Sequence, residues 1–299
     1  MELNPSQIAK APPVTDQKII KQSASPPSRP LKAYIRTPKR YAIVMLLFSL
    51  LIGSLHTGFL SGITTVATTI GTAMLLDTLI SRLIWKNKKQ TFPDGALLTG
   101  LIIGLVLSPA TSFAISVFTA AAAILSKHFI TYQKKPILNP AAFGLWLSVI
   151  LFSSNQSWWG GMSLLPWWTI LLVVAGGYLV TNRVQKFPQV FAFLATYGLI
   201  HLIFGFIGLA DASSAFITPY LNAVLFLAFF MLTDPPTSPA KNRDQIIFGI
   251  LCAVVSCVDF YLFNSLSYLL TGLLCANAWK AWRAFQTQQK RQAKRAKTV

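Results

Sequence analysis

The chain has 299 residues, of which 54% are hydrophobic and only 11% are charged, with a formal net charge of +18. Its longest apolar runs exceed the roughly 18 residues that mark a membrane-spanning helix, which excludes an ordinary water-soluble domain. The lysines and arginines lie between these runs and in the two terminal segments. We therefore predict a polytopic membrane protein with the lipid bilayer as a partner and no nucleic-acid partner.

Residues 1–40 are rich in proline, serine and lysine and show no apolar periodicity. A segment of this composition cannot bury enough apolar surface to fold, so we predict a disordered basic cytoplasmic tail. It also lacks the short charged start and the cleavage site of a signal peptide.

Ten apolar spans follow the tail, and we predict a transmembrane helix in each. Their approximate ranges are 41–58, 60–81, 94–108, 111–126, 138–153, 166–182, 187–208, 214–233, 245–259 and 261–279. With the first tail in the cytoplasm, every lysine and arginine falls in a cytoplasmic loop or tail, as the positive-inside rule requires. We predict an all-α membrane domain over residues 41–279 in a bacterial-type inner (plasma) membrane, with both termini cytoplasmic.

Ten spans divide into two halves of five, and two related halves of five spans insert with opposite orientations. Short segments interrupted by glycine and proline occur in both halves, at residues 94–109 and 233–239. Irregular backbone at membrane depth is tolerated where it is buried in protein or lines a cavity. The pattern favours two inverted five-helix halves, and ordinary turns at the headgroup level stay open as an alternative.

Ionisable residues inside the spans are few. We expect Asp77 to form a structural ion pair with Arg82 near the membrane interface. His201 lies deep in the seventh span, where a lone histidine is usually a satisfied core residue. Three further ionisable residues fall at outer ends of spans and are expected to be solvated: His56, Asp211 and Asp259.

The cysteines and the soluble-enzyme motifs point away from metal or hydrolytic chemistry. Cys252, Cys257 and Cys275 lie in apolar runs without a CxxC spacing or a nearby histidine partner, so we predict buried structural thiols and no metal site. The sequence also lacks a Walker loop, an HExxH motif and a Ser/His/Asp spacing.

Asn139 and Pro140 form a helix start at the entrance of the fifth span. Proline has no N–H to lose at the first helical position, and asparagine is a preferred N-cap residue. The N-terminus so formed presents free N–H groups and the positive end of the helix dipole. Lys127 and His128 precede it by about a dozen residues, so we predict that these four residues bind an anionic or amphipathic ligand.

Three clusters meet at the cytoplasmic face of the predicted bundle. The first is Pro93–Gly95, which contains Asp94, and the second combines Lys127 and His128 with Asn139 and Pro140. The third is the loop TDPPTSP at residues 233–239. From the first and third clusters we expect four residues to shape the cavity of the same site: Asp94, Asp234, Thr237 and Ser238.

Four sequence strings, taken in this order, resemble the RnfD/NqrB membrane-subunit family. They are PDGALLTG at 93–100, SKH at 126–128, NPAAFG at 139–144 and TDPPTSP at 233–239. The resemblance covers roughly residues 37–280 and extends to the shorter stand-alone members. It implies a subunit of a flavin-dependent, ion-translocating electron-transport complex with ten helices in two inverted halves. It also implies bound flavin and other electron-transport subunits as partners, rather than a free-standing catalyst.

In the family, FMN is often joined to a threonine within a motif of the form Asp-x-x-Ser/Thr-Gly-Ala-Ser/Thr. The nearest string here, Ser61–Thr64, lacks the alanine and the preceding aspartate, and the predicted outer loop 153–162 offers no substitute. We therefore expect FMN or riboflavin to be held noncovalently and covalent FMN to be absent.

Two other functions stay open from the sequence. One is a solute or ion permease that uses the same inverted fold without redox chemistry. The other is a structural scaffold whose broken helices are relics of a redox ancestor. The basic segment 280–299 is expected in every case to be a cytoplasmic tail in contact with anionic lipid headgroups.

Overall fold

A computed structural model describes residues 37–55, 59–86, 92–163, 165–208, 216–218, 220–263 and 267–296. In this part of the chain there are ten α-helices: α1 Pro38–Ser54, α2 Phe59–Leu79, α3 Asp94–Val106, α4 Phe113–Phe129, α5 Pro140–Phe152, α6 Ile170–Val184, α7 Phe187–Phe206, α8 Tyr220–Phe226, α9 Asn242–Phe263 and α10 Tyr268–Ala296. One π-helical turn extends α2 (Ile80–Ile84) and another extends α8 (Leu227–Met231). Most of the predicted first tail, as well as His56 and Asp211, lies outside the described residues.

The prediction of an all-α membrane protein is confirmed. Three helices are long and apolar enough to cross a bilayer by themselves: Leu60–Ile84, Phe187–Phe206 and Asn242–Phe263. Four other apolar helices, among them α3 and α5, are shorter. A 13-residue helix such as α3 measures about 20 Å, against about 30 Å for the hydrocarbon core.

The two short helices α3 and α8 lie at the centre of the bundle. In α3, every residue from Thr99 to Val106 is buried, and in α8 and its π turn every residue from Asn222 to Met231 is buried. A helix that is buried on all its faces has no amphipathic stripe, which is why the sequence of both is almost uniformly apolar. The other helices surround this pair and cover its polar ends.

Glycines set how closely α3 approaches α2. A Cβ atom on Gly100 would lie 2.6 Å from the Ile70 Cα, and one on Gly104 would lie 2.7 Å from the Val66 Cα. The spacing of these two glycines is the GxxxG pattern, in which small residues let two membrane helices pack backbone against backbone. Van der Waals contact of this kind stabilises helix pairs where lipid offers no hydrophobic driving force.

The two halves of the chain repeat one packing pattern. In the first half, α1 packs on α3, α2 packs on α4, and α4 packs on α5. In the second half, α6 packs on α8, α7 packs on α9, and α9 packs on α10. Each half therefore has its third helix, the short one, at the equivalent place.

The segment predicted as the outer loop 153–162 is in fact largely buried. It runs between α3 and α8, with a short 3-10 helix at Trp159–Gly161. The indole N–H of Trp159 donates to the Gly104 carbonyl at 2.9 Å, and the Asn222 amide donates to the Gly161 carbonyl at 2.6 Å. These bonds satisfy irregular backbone inside the protein, where water cannot do so.

Residue 280, where the sequence predicts that the last span passes into a basic tail, lies inside a helix. α10 continues as one helix from Tyr268 to Ala296. A hairpin of two short strands, β1 Thr131–Tyr132 and β2 Lys135–Pro136, packs beside this extension. The Gln133 amide donates to Gln288 Oε1 at 2.8 Å, and the Tyr132 ring meets Phe285 edge-on at 6.3 Å.

The close packing of α3 on α2 makes a testable prediction. Gly104→Ala places a methyl group against the α2 backbone and is expected to lower the free energy of unfolding by about 1–3 kcal/mol. Thermal unfolding in detergent measures the change. The matched control is Gly71→Ala on α2, where a Cβ meets nothing within 4 Å and the change is expected to be neutral or stabilising. Equal stability of the two variants would contradict this account of the interface.

Candidate functional site

One cleft collects the three motif clusters that the sequence singled out. It lies where the starts of α1, α3 and α5 meet the end of α4 and the loop after α8, and we call it the basic cleft. It is lined by Lys39, Gly95, Leu98, Thr99, Ile102, Lys127, Pro136, Asn139, Pro140, Ala141, Phe230, Asp234 and Pro236. The predicted convergence of the clusters is confirmed, whereas their role in binding a cofactor stays a prediction.

Two ammonium groups stand over the N-terminus of α3. A Cβ atom on Gly95 would lie 3.3 Å from Lys127 Nζ and 3.7 Å from Lys39 Nζ. Asp94 turns away toward Arg40, whose Nε donates to Asp94 Oδ2 at 2.9 Å. Because a helix N-terminus already carries partial positive charge, this edge of the cleft attracts an anion.

A buried carboxylate fixes the end of α4 beside the cleft. Asp77, whose side chain is 1% exposed, accepts from Lys127 Nζ at 2.7 Å and contacts His128 Nε2 at 2.8 Å. The ion pair expected for Asp77 is present, but its partner was predicted wrongly, since Arg82 is exposed. The ion pair joins two helices, because Asp77 lies on α2, Lys127 lies on α4, and α4 packs on α2. The spacing of residues along the sequence does not show this packing. His128 therefore serves Asp77 and does not line the cleft.

Asn139 acts as a structural connection at the floor of the cleft. Its side-chain oxygen accepts from the Ala142 N–H at 3.1 Å, which caps α5 as the sequence predicted. Its side-chain nitrogen donates to the Met231 carbonyl at 3.2 Å. Its backbone N–H donates to Asn277 Oδ1 at 2.7 Å. Asn139 and Pro140 therefore shape the cleft. Both polar atoms of the Asn139 side chain already form hydrogen bonds within the protein.

The loop at residues 233–239 closes the opposite wall. Asp234 lines the cleft, while the Thr237 hydroxyl donates to Asp234 Oδ2 at 2.8 Å and the Ser238 hydroxyl donates to the Asp234 carbonyl at 2.7 Å. Burial raises the pKa of the Asp234 carboxyl above its ordinary value, and the Thr237 hydrogen bond and nearby lysines oppose this rise. Thr237 and Ser238 thus hold the loop and do not line the cleft.

Two lysines tie this loop to neighbouring helices. Lys186 donates to the Pro239 carbonyl and Lys280 donates to the Pro236 carbonyl. Lys186 is only 5% exposed. Burial, together with the charge of Lys280, lowers the pKa of Lys186 to about 8, while Asp234 acts in the opposite direction. The loop is therefore held by cations on both of its sides.

The chain is similar to known proteins over most of its length. The model of the NQR2, RnfD, RnfE family matches residues 27–163 and 156–268. The chain belongs to this family. It is also 29% identical over 85 residues to an ion-translocating oxidoreductase complex subunit of Actinobacillus succinogenes. That alignment covers 28% of this chain and 24% of the relative, so the chain matches about a quarter of the relative's length.

Sequence reasoning about this NQR2/RnfD/RnfE-family chain missed three residues that line the cleft: Lys39, Thr99 and Phe230. Lys39 was assigned to the disordered tail, although Pro38 beside it is the first residue of α1. A proline at the first helical position is a signal that could have extended the helix to include Lys39. Thr99 lies in the string PDGALLTG at 93–100, but nothing in that string marks Thr99 as facing a cavity. Phe230 lies in an apolar run without a local signal.

The polar residues of the outer region depart from expectation in three places. His201 is 1% exposed and its Nδ1 lies 2.9 Å from the Tyr197 carbonyl, as expected for a core histidine, but its Nε2 is buried without a hydrogen-bond partner among the described residues. Cys252 and Cys257 are buried, as predicted, but Cys275 is exposed. Asp259 was expected to be solvated, yet its Oδ2 is buried without a hydrogen-bond partner among the described residues.

The connections of Asn139 predict a large effect on stability. Asn139→Ala removes the cap of α5 and leaves the buried Met231 carbonyl with the Asp234 N–H, at 3.3 Å, as its remaining donor, so the free energy of unfolding is expected to fall by about 2–4 kcal/mol. The control is Ser112→Ala, since Ser112 caps α4 through one long bond at 3.4 Å and is exposed. That change is expected to cost about 1 kcal/mol or less. Thermal unfolding in detergent compares the two, and equal losses would refute the connecting role.

Proposed function

We propose that this chain is a membrane subunit of a flavin-dependent electron-transport complex that is coupled to ion translocation. We further propose that it binds FMN or riboflavin noncovalently in the basic cleft. The observation that carries the proposal is the meeting of the three motif clusters around two ammonium groups and the start of α3. Family membership and the name of the Actinobacillus relative support the class of function.

The groups around the cleft suit a flavin. Lys39 and Lys127 offer positive charge at the start of α3, and apolar walls at Leu98, Ile102 and Phe230 suit a flat ring. The enclosed volume is about 60 Å³, against roughly 300 Å³ for the smallest pockets of drug-sized ligands. The charge and the apolar character of the lining residues suit the cofactor, but a cleft of this volume does not hold an isoalloxazine ring unless the lining side chains, Lys39 among them, move apart.

Each residue of the cleft has a defined task in this proposal. A bound flavin supplies one- and two-electron transfer. Lys39 and Lys127 stabilise negative charge in the cleft, and the Asp77 carboxylate holds Lys127 in position at 2.7 Å. Asn139 keeps the start of α5 fixed against α8 and α10, so that the wall does not collapse. The apolar side chains exclude water from the site.

The repeated packing order supports an architecture of ten spans in two inverted halves. Each half contributes five helices, and five spans reverse the orientation of the second half relative to the first. The short buried helices α3 and α8 then lie on either side of the pseudo-symmetry axis, with the Trp159–Gly161 turn packed against both. The basic ends of α1, α4 and α9 gather at one end of the bundle through contacts such as Arg40 with Asp94. We propose that this end faces the cytoplasm of a bacterial-type inner membrane, with both termini inside.

Purified full-length protein tests the cofactor proposal directly. We expect the visible absorption of a flavin, from a chromophore that leaves the polypeptide on denaturation and filtration. Flavin fluorescence that stays with the denatured polypeptide on a gel would overturn the noncovalent attachment. A colourless protein that also fails to bind added FMN and riboflavin would overturn the flavin site.

Titration of flavin into the protein locates the site. Lys39→Gln removes a positive charge at the cleft and is expected to weaken FMN binding about 3–10-fold, as one charge-assisted contact would. Riboflavin, which lacks the phosphate, is expected to be affected less. Lys86→Gln is the control, because Lys86 is exposed at the far end of α2's π turn. Quenching of flavin fluorescence reports both affinities, and equal effects of the two substitutions would place the flavin elsewhere.

A permease without redox chemistry is the second candidate function. The two short, largely buried helices α3 and α8 favour it, since transporters of inverted-repeat type form their sites from short or interrupted helices. The tests separate the two functions. A colourless protein that transports an ion or solute in liposomes supports the permease, whereas flavin absorption without transport by the isolated chain supports electron transfer.

A further inference from the structure

We propose that the extension of α10 beyond the membrane forms a docking site for an acidic surface of a partner protein. The site is the groove between this extension, the start of α9 and the β1–β2 hairpin, and we call it the α10 groove. Its volume is about 430 Å³. It lies on the outside of the bundle and shares no lining residue with the basic cleft.

The α10 groove is strongly cationic. Lys241, Lys280, Arg283 and Arg291 line it, and Asp244 is its one acidic residue among the described part of the chain. Arg283 lies 3.7 Å from Asp244, and its side chain is 53% exposed. A guanidinium with five donors and one distant carboxylate keeps donors available for a second carboxylate.

An aromatic residue backs the central cation. The Arg283 guanidinium lies 5.9 Å from the centre of the Trp279 ring, within the range of a cation–π contact. Tryptophan and arginine together are the residue types most enriched among the energetic centres of protein interfaces. The Trp279 ring also limits the orientations open to Arg283, which reduces the entropy that binding would cost.

The extension is held in a defined place. The Gln133 amide donates to Gln288 Oε1 at 2.8 Å, the Tyr132 hydroxyl donates to the same oxygen, and the Tyr132 ring packs on Phe285. These contacts fix the position of the α10 extension relative to the hairpin. The contacts preorganise the groove for a partner.

The length of α10 favours a protein over lipid headgroups as the partner. Arg283 is level with Asp244 at the start of α9, and from there α10 continues to Ala296, a rise of about 20 Å. The headgroup layer is only about 5–7 Å deep on each side of the bilayer. With an ordinary tilt of about 20°, Lys290 and Arg291 lie beyond that layer. This differs from the sequence-based expectation that the segment contacts headgroups.

The test measures binding of a fluorescent polyglutamate peptide to the full-length protein in nanodiscs of zwitterionic phosphatidylcholine. Wild type is expected to bind with an affinity that falls as salt rises. Arg283→Gln/Arg291→Gln is expected to weaken binding at least 10-fold. The charge-matched control is Arg82→Gln/Lys86→Gln, two exposed cations at the end of α2, with an expected change below 2-fold. Equal losses in both double variants, or none in the first, overturn the proposal.

Two further measurements keep the result specific. Arg291→Gln alone leaves the Arg283–Asp244 contact intact and is expected to weaken binding about 3-fold with an unchanged melting temperature. The titration is then repeated in nanodiscs that contain anionic phosphatidylglycerol. If the wild type still binds the peptide more tightly than the Arg283→Gln/Arg291→Gln variant by the same factor, the groove is open to a protein. If the two proteins then bind the peptide with equal affinity, lipid headgroups occupy the groove and the proposal fails.

Discussion

Membrane helices that are too short to cross a bilayer need hydrogen-bond partners within the protein for the polar groups at their ends. Asn139 makes three such hydrogen bonds. It caps α5, its side-chain nitrogen donates to the Met231 carbonyl at the end of α8, and its backbone N–H donates to Asn277 Oδ1 of α10. The start of α5, the end of α8 and the middle of α10 are thereby tied to one buried residue. The shape of the basic cleft depends on this connection, because the floor and one wall are the elements that Asn139 joins.

The charges around the cleft are arranged so that the cations outnumber the carboxylates that face the open space. Asp77 binds Lys127 from behind, and Asp94 binds Arg40 away from the opening. Asp234 is the carboxylate that lines the cleft, and burial raises its pKa. The ammonium groups near Gly95 therefore set the local potential, which favours an anionic ligand over a cation.

Much of the architecture was readable from the sequence, for identifiable reasons. Helix starts such as Asn139–Pro140 have local chemistry, and the lysine pattern marks one side of the bundle. The partner of Asp77 was not readable, because it depends on how α4 packs on α2. The buried course of residues 153–163 was equally hidden, since small polar residues and tryptophans are as common in an exposed loop as in a segment that passes between helices. Lys39 was missed because a charged residue next to a segment rich in proline, serine and lysine gives no apolar signal.

The unbroken course of α10 has a mechanical meaning. The helix that carries Arg283 outside the membrane also carries Asn277, about 9 Å earlier along the same axis, and Asn277 holds the Asn139 backbone and the Thr237 carbonyl. An α-helix of this length behaves as a stiff rod over such a distance. A displacement of its outer end is therefore expected to reach Asn139, which lines the basic cleft, and Thr237, which lies in the loop that closes it. The helix would in this way couple the surface of the chain to its interior.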